Sequence, residues 1–299
     1  MKNNLFAHIS LFIANLIYAL NYTFAKDVMP EYIQPSGFIL LRVTGAVLVF
    51  SIIYVIFIKE KIQRKDMLRI AMCGLFGVAI NQLLFFHGLN LSTPINAAII
   101  MTINPILVAL LSYIIIKEQF PAKKKYGIVL GISGAIFLIL NGGQISLNNS
   151  TQLGNVFVFI NASSYALYLV FVKPLMQKYN PISVMFFVFA FGLLFVLPFG
   201  YEELRIVNWD IMPKYIYYEI IFVVLFTTVI AYSLNSSALK TLNASTVSIY
   251  IYIQPVLATI FAVYMKSDKL TLNKIIACGI IFLAVYLVSK QEINKQKLF

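Results

Sequence analysis

The chain has 299 residues, of which 61% are hydrophobic and only 11% charged, with a formal net charge of +12. A soluble domain carries about 25% charged and 45–50% apolar residues, so the composition excludes an ordinary soluble fold and predicts an all-α integral membrane protein. The charge does not indicate nucleic acid, because the Lys and Arg residues sit in short loops between apolar stretches, as topogenic cations do.

Ten stretches are apolar enough, and most are long enough, to cross ~30 Å of hydrocarbon. They are expected at 5–25, 36–58, 69–89, 94–116, 126–141, 153–173, 181–199, 214–237, 241–265 and 271–289. The first has no small-residue cleavage site and reads as a retained helix, not a signal peptide. It carries Asn15, Tyr18, Tyr22 and Lys26 on one helical face. Span 6 offers Asn161, Ser164, Tyr165 and Tyr168 on a similar face. Interhelical hydrogen bonds would explain both stripes. A cavity wall is preferred, because both spans keep the Tyr. Lys26 and Lys173 are expected to snorkel at span ends.

Span 2 carries Arg42 about two turns inside one end. A charge within a span is a functional candidate by default. The competing and slightly preferred reading is an Arg snorkelled onto helix ends or loop carbonyls. Span 3 contributes Asn81, Gln82 and His87; span 8 contributes Glu219, Tyr232 and Asn235. Glu219 lies near a span end and is expected to face water; buried, it could carry a proton. Spans 4 and 9 hold Pro105 and Pro255, each preceded by an amide, Asn104 and Gln254, with Tyr250 nearby in span 9. A proline leaves the carbonyl one turn back without its partner, so a site or hinge is expected at both. Span 5 has Gly127, Gly131 and Gly134 at the spacing of close helix packing. Cys73 and Cys278 fall inside spans and form no disulfide or metal pattern.

The matched prolines belong to a longer repeat. Ile99, Ile103, Pro105 and Leu107 are answered by Ile249, Ile253, Pro255 and Leu257, and Glu118 by Asp268, all at an offset of 150. Tyr18-Ala19-Leu20 with Lys26 is answered by Tyr165-Ala166-Leu167 with Lys173 at an offset of 147. The chain therefore reads as two copies of one unit, 1–146 and 147–299, joined by the polar loop 141–152. Five spans per copy is an odd number, so the second copy crosses the membrane in the opposite sense. Inverted repeats with a site between the halves are a recurrent architecture of secondary transporters. With both termini in the cytoplasm, the loops 59–69, 117–125 and 173–180 and the tail 290–299 are internal and hold most of the Lys and Arg.

No Gly-rich phosphate loop, metal-ligand cluster or Ser-His-Asp or Cys-His set is visible in the sequence. An ATP-driven pump or intramembrane enzyme is disfavoured, and no cofactor is expected. A channel or an uptake carrier for a small organic anion or sugar is the alternative. The expected partners are a small-molecule substrate, the lipid bilayer and a candidate coupling proton; nucleic acid is not among them, and the oligomeric state is open.

The polar end of span 1 closing on Lys26, Arg42, Pro105, and Glu118 followed by Gly127 and Gly134, with their echoes Lys173, Pro255 and Asp268, resemble the EamA-type family of the drug/metabolite transporter superfamily. The resemblance covers nearly the whole chain. It implies a ten-helix carrier of the inner or plasma membrane, commonly an exporter of amino acids and related metabolites, with a cavity lined mainly by helices 1, 3, 4, 6, 8 and 9. Small multidrug antiporters of that superfamily depend on an acid in the first helix. Span 1 has none, and Arg42 suits a zwitterion or small anion better than a lipophilic cation.

Overall fold

The computed structural model describes residues 2–116, 122–140, 149–242, 247 and 250–296. Glu118, Ser248, Ile249 and most of the 141–152 linker lie outside these. Helices run in chain order as α1 Lys2–Val28, α2 Pro35–Ile58, α3 Arg64–Leu91, α4 Pro94–Ile115 and α5 Ala122–Leu140. The second set is α6 Ser150–Lys178, α7 Pro181–Arg205, α8 Lys214–Thr241, α9 Tyr250–Tyr264 and α10 Leu272–Gln296. No strand occurs among the described residues. Among them, seven helices (α1–α4 and α6–α8) are long and apolar enough to cross a membrane; three shorter apolar helices lie at Tyr126–Ile139, Tyr250–Tyr264 and Leu272–Ala284.

The helix starts are written in the sequence. Pro35, Pro94 and Pro181 each occupy the first helical position, where the missing N–H costs nothing. Thr93 Oγ1 accepts from Asn96 N at 3.3 Å and Asn180 Oδ1 from Ile182 N at 3.0 Å. Carboxylates at or just past distant helix ends complete the caps. Glu203, at the end of α7, accepts from Gly37 N at the start of α2, at 2.8 Å. Glu60, just after α2, accepts from Asn180 N at the start of α7, at 2.9 Å. The two ties are reciprocal. Negative charge at a helix start is favoured by the helix dipole.

The packing is reciprocal in the same way. α2 packs on α7, and α5 on α10. α3 and α4 pack on α6, while α8 and α9 pack on α1; α3 touches α7, while α8 touches α2. Every one of these contacts joins the first five helices to the last five. Backbones approach closely where glycines permit. A Cβ on Gly154 of α6 would lie 2.7 Å from Gly88 O and 2.8 Å from Ser92 N. Outward-facing side chains are large and apolar, among them Phe12, Ile52, Phe57, Leu197, Ile260 and Leu283. A bilayer in place of water accounts for that surface.

The two lysines expected to snorkel do not. Lys26 Nζ donates to the carbonyls of Leu89, Asn90 and Ser92 at 2.9, 2.6 and 2.9 Å, closing the end of α3. Lys173 Nζ donates to the carbonyls of Leu239 and Leu242 at the end of α8. Both satisfy carbonyls that a helix C-terminus leaves open, and that outweighs solvation of the ammonium at a span end.

Candidate functional site

Two kinds of backbone irregularity meet at the centre of the molecule. The helical path of α4 breaks at Thr102 and Ile103 and restarts at Asn104. In α9 a 3₁₀ turn, Tyr250–Tyr252, gives way to α-helix at Ile253. The breaks share one register, 102 with 252. Both prolines sit in the first turn of the restarted helix. They are helix starters, not the mid-helix kinks expected, so the large mid-helix penalty does not apply. α3 and α8 each contain a π-helical segment, Leu75–Ala79 and Phe222–Ile230, again in matching register. Such segments widen the backbone and mark functional sites in many helices.

Between these irregular segments lies an internal cavity of about 80 Å³. That is room for a few waters and well below the ~300–1,000 Å³ of typical ligand pockets. α1 contributes Asn15, Tyr18, Asn21 and Tyr22; α3 contributes Asn81, Gln82, Phe85 and Phe86. α6 adds Asn161 and Tyr165, and α8 adds Thr227, Tyr232 and Asn235. Met101 from α4, Gln254 and Ile251 from α9, Val247 just before it, and Arg42 from α2 close the wall.

The wall is crossed by ties of unequal strength. Tyr22 donates to Gln254 Oε1 at 2.9 Å, and Gln254 Nε2 donates to Asn15 Oδ1 at 2.6 Å, binding α1 to α9. Asn235 Nδ2 donates to Tyr18 Oη at 3.1 Å, binding α8 to α1. Across α3 and α8, Gln82 Nε2 stands 3.5 Å from Tyr232 Oη, which stands 3.4 Å from Gly77 O and from Asn81 Oδ1. At those lengths the α3–α8 tie is weak. The cavity therefore has one firm seam and one loose one.

Other expected residues lie elsewhere, each for a local reason. His87 Nε2 pairs with Ser36 Oγ at 2.8 Å, joining α3 to the start of α2. Asn104 Nδ2 donates to Ala162 O at 2.8 Å. The Tyr168 ring lies over Gly77, where a Cβ would come within 2.3 Å of it, and its hydroxyl stands 3.8 Å from Met185 Sδ. Tyr250 Oη pairs with His8 Nδ1 at 2.6 Å. Glu219, expected to face water, is only 9% exposed, because α1 packs on the start of α8 and covers it. Arg42 is the reverse case. It reaches no helix end or loop carbonyl among the described residues: its Nε donates to Thr228 Oγ1 at 3.0 Å and its guanidinium lies 4.3 Å from the Phe86 ring centroid. Sequence reasoning missed Asn21, three residues from Tyr18 on the same face, and Thr227, which only the π-segment turns inward.

A helical bundle with an apolar exterior and a polar cavity at its centre is a polytopic membrane protein. The sequence profile of the EamA-like transporter family matches residues 5–140 and again 152–290. The chain belongs to the EamA-like transporter family. It is 25% identical over 289 residues to the "Uncharacterized transporter YyaM" of Bacillus subtilis, covering 94% of each chain. It is 24% identical over 283 residues to an "Uncharacterized transporter" of Archaeoglobus fulgidus, covering 93% of this chain and 99% of the relative. A solved crystal structure at 17% identity superposes with a TM-score of 0.66 over 95% of this chain and 97% of that one, a likeness of fold.

Proposed function

We propose that the protein is a secondary transporter that exports a small polar metabolite, such as an amino acid or related compound, across the inner or plasma membrane by alternating access. The observation that carries this reading is the position of the cavity: its wall is shared by helices of both halves, with Met101 and Ile251 at the two matched helix breaks and Thr227 in the π-segment of α8. Irregular backbone at membrane depth is tolerated where it lines a cavity. The reciprocal packing and the paired Glu60 and Glu203 caps support two five-helix repeats, 1–146 and 147–299, related by inversion. On this reading ten helices cross the bilayer. The cavity is contracted here, and loading it opens the loose α3–α8 seam.

The purified protein in liposomes should show saturable, substrate-selective flux with counterflow. Flux rising linearly with concentration would replace the carrier by a channel, and chemical conversion of a supplied compound would replace it by an enzyme. Topology is tested separately. With both termini cytoplasmic, the start of α6 is external. Asn149 is exposed there, its Oδ1 accepting from Thr151 N at 3.0 Å. In a cysteine-free background, Asn149→Cys should react with a membrane-impermeant maleimide on intact cells. Reaction only after permeabilisation would overturn the inverted arrangement. Loss of the cap costs about 1 kcal/mol, which leaves the fold in place.

A further inference from the structure

We infer that Arg42 is the receptor for a carboxylate of the carried compound, and that Thr228 is the residue that positions it. The inference rests on the transporter reading and adds the substrate's charge to it.

Arg42 is 2% exposed and lines the cavity, and its Nη1 has no hydrogen-bond partner among the described residues. Among those residues no Asp or Glu lines the cavity, and the ionisable groups that interact with the guanidinium electrostatically are Tyr18 and Tyr232. Within a membrane a cation without a counter-charge is expensive. A buried charge left without a partner is costlier than a buried pair. The missing partner is an anion brought in from outside the chain. A carboxylate fits best, since a guanidinium offers two parallel N–H groups to its two oxygens.

The guanidinium is held for that task from two sides. Thr228 Oγ1 donates to Val223 O at 2.8 Å, so its proton is engaged and its lone pairs face Arg42 Nε at 3.0 Å. That carbonyl lies five residues back, the spacing of the π-segment, so the bulge in α8 sets the hydroxyl's direction. Phe86 of α3 supports the flat face of the cation. Arg42 thus belongs to α2, rests on α8 and leans on α3. The remaining wall offers three amide oxygens without donors, Asn21 Oδ1, Gln82 Oε1 and Asn161 Oδ1, and one hydroxyl without a partner, Thr227 Oγ1. The compound that fits carries one carboxylate and several N–H or O–H donors.

Acetate is the probe, with the full-length protein in detergent and chloride as the control at equal ionic strength. Acetate should raise the wild-type melting midpoint by about 3 °C at saturation. Arg42→Gln should show no acetate shift, Thr228→Val should need roughly tenfold more acetate, and Thr228→Ser should behave as wild type. Wild-type protein indifferent to acetate up to about 0.5 M, or an equal shift in Arg42→Gln, overturns the inference. If Arg42→Gln does not fold, the contrast between Thr228→Val and Thr228→Ser decides, and equal responses of the two remove Thr228 from the receptor. The carrier reading is separated by flux in liposomes. Acetate binding through Arg42 without any saturable flux sinks the carrier and leaves the receptor. Saturable metabolite flux unchanged in Arg42→Gln sinks the receptor and leaves the carrier.

Discussion

Gly154→Leu is expected to leave no folded, monodisperse protein in detergent, while Gly279→Leu melts as wild type. At Gly154 the added Cβ would meet Gly88 O at 2.7 Å and Ser92 N at 2.8 Å. Both are backbone atoms, so no side chain can rotate away, and α3 and α6 would have to separate. Separation removes the hydrogen bonds from Ser92 Oγ and Asn96 Nδ2 to Asn155 Oδ1 in the buried interface. It also displaces the carbonyls that hold Lys26. Overpacking by a methylene or two costs ~1–3 kcal/mol, and a leucine forced between two backbones exceeds that before the lost hydrogen bonds are counted. At Gly279 an added Cβ would meet no atom of the described residues within 4 Å, so leucine there enters open space. Size-exclusion profiles and melting curves of the two variants check the contrast. A well-folded Gly154→Leu protein would mean that α3 and α6 are not packed as described.

Pro105→Ala and Pro255→Ala are expected to fold as wild type and to transport about tenfold more slowly, a difference of ~1.4 kcal/mol in the barrier. Stability should change little because both prolines stand in the first turn of a restarted helix, where no backbone hydrogen bond is lost. Alanine restores the N–H and lets helix propagate through the breaks at Thr102–Ile103 and Tyr250–Tyr252. A continuous helix resists the bending that an alternating cavity requires. On the proposed inverted-repeat reading, the two variants should bias accessibility toward opposite sides, since inverted halves of such transporters exchange conformations during the cycle. Flux at the wild-type rate in both would reduce the breaks to static kinks.

What the sequence made legible follows from where periodicity carries information. A stripe such as Asn15, Tyr18 and Tyr22 shares one face only in a regular helix, and α1 is regular, so the stripe reached the cavity. Matched prolines were legible because proline has one backbone meaning, although its position in the first turn became clear only from the helix boundaries. In α3 and α8 the π-segments depart from the 3.6-residue period within themselves, so Tyr168's neighbour Gly77 and the inward turn of Thr227 could not be read from that period. Arg42 was legible as an anomaly. Its partners were not, because Thr228 and Phe86 lie on helices far away in sequence. Glu60 and Glu203 looked like ordinary loop acids, and Asp268 stood out only as the repeat partner of Glu118; only tertiary structure shows that each caps a helix start, Asp268 Oδ2 accepting from Ile95 N at 3.1 Å.

Those acid caps also bear on the order in which the protein is made. Glu203 and Asp268 serve helix starts at Gly37 and Ile95, residues that leave the ribosome long before them. On the proposed ten-helix reading, the first five helices enter the bilayer with two of their beginnings unfinished, each short of a contact that is typically worth about 1 kcal/mol. An arrested chain ending near residue 146 is left to insertion factors and proteases in that state. Supplying the missing half as a separate polypeptide should protect it, and the survival of each fragment should then depend on the dose of the other.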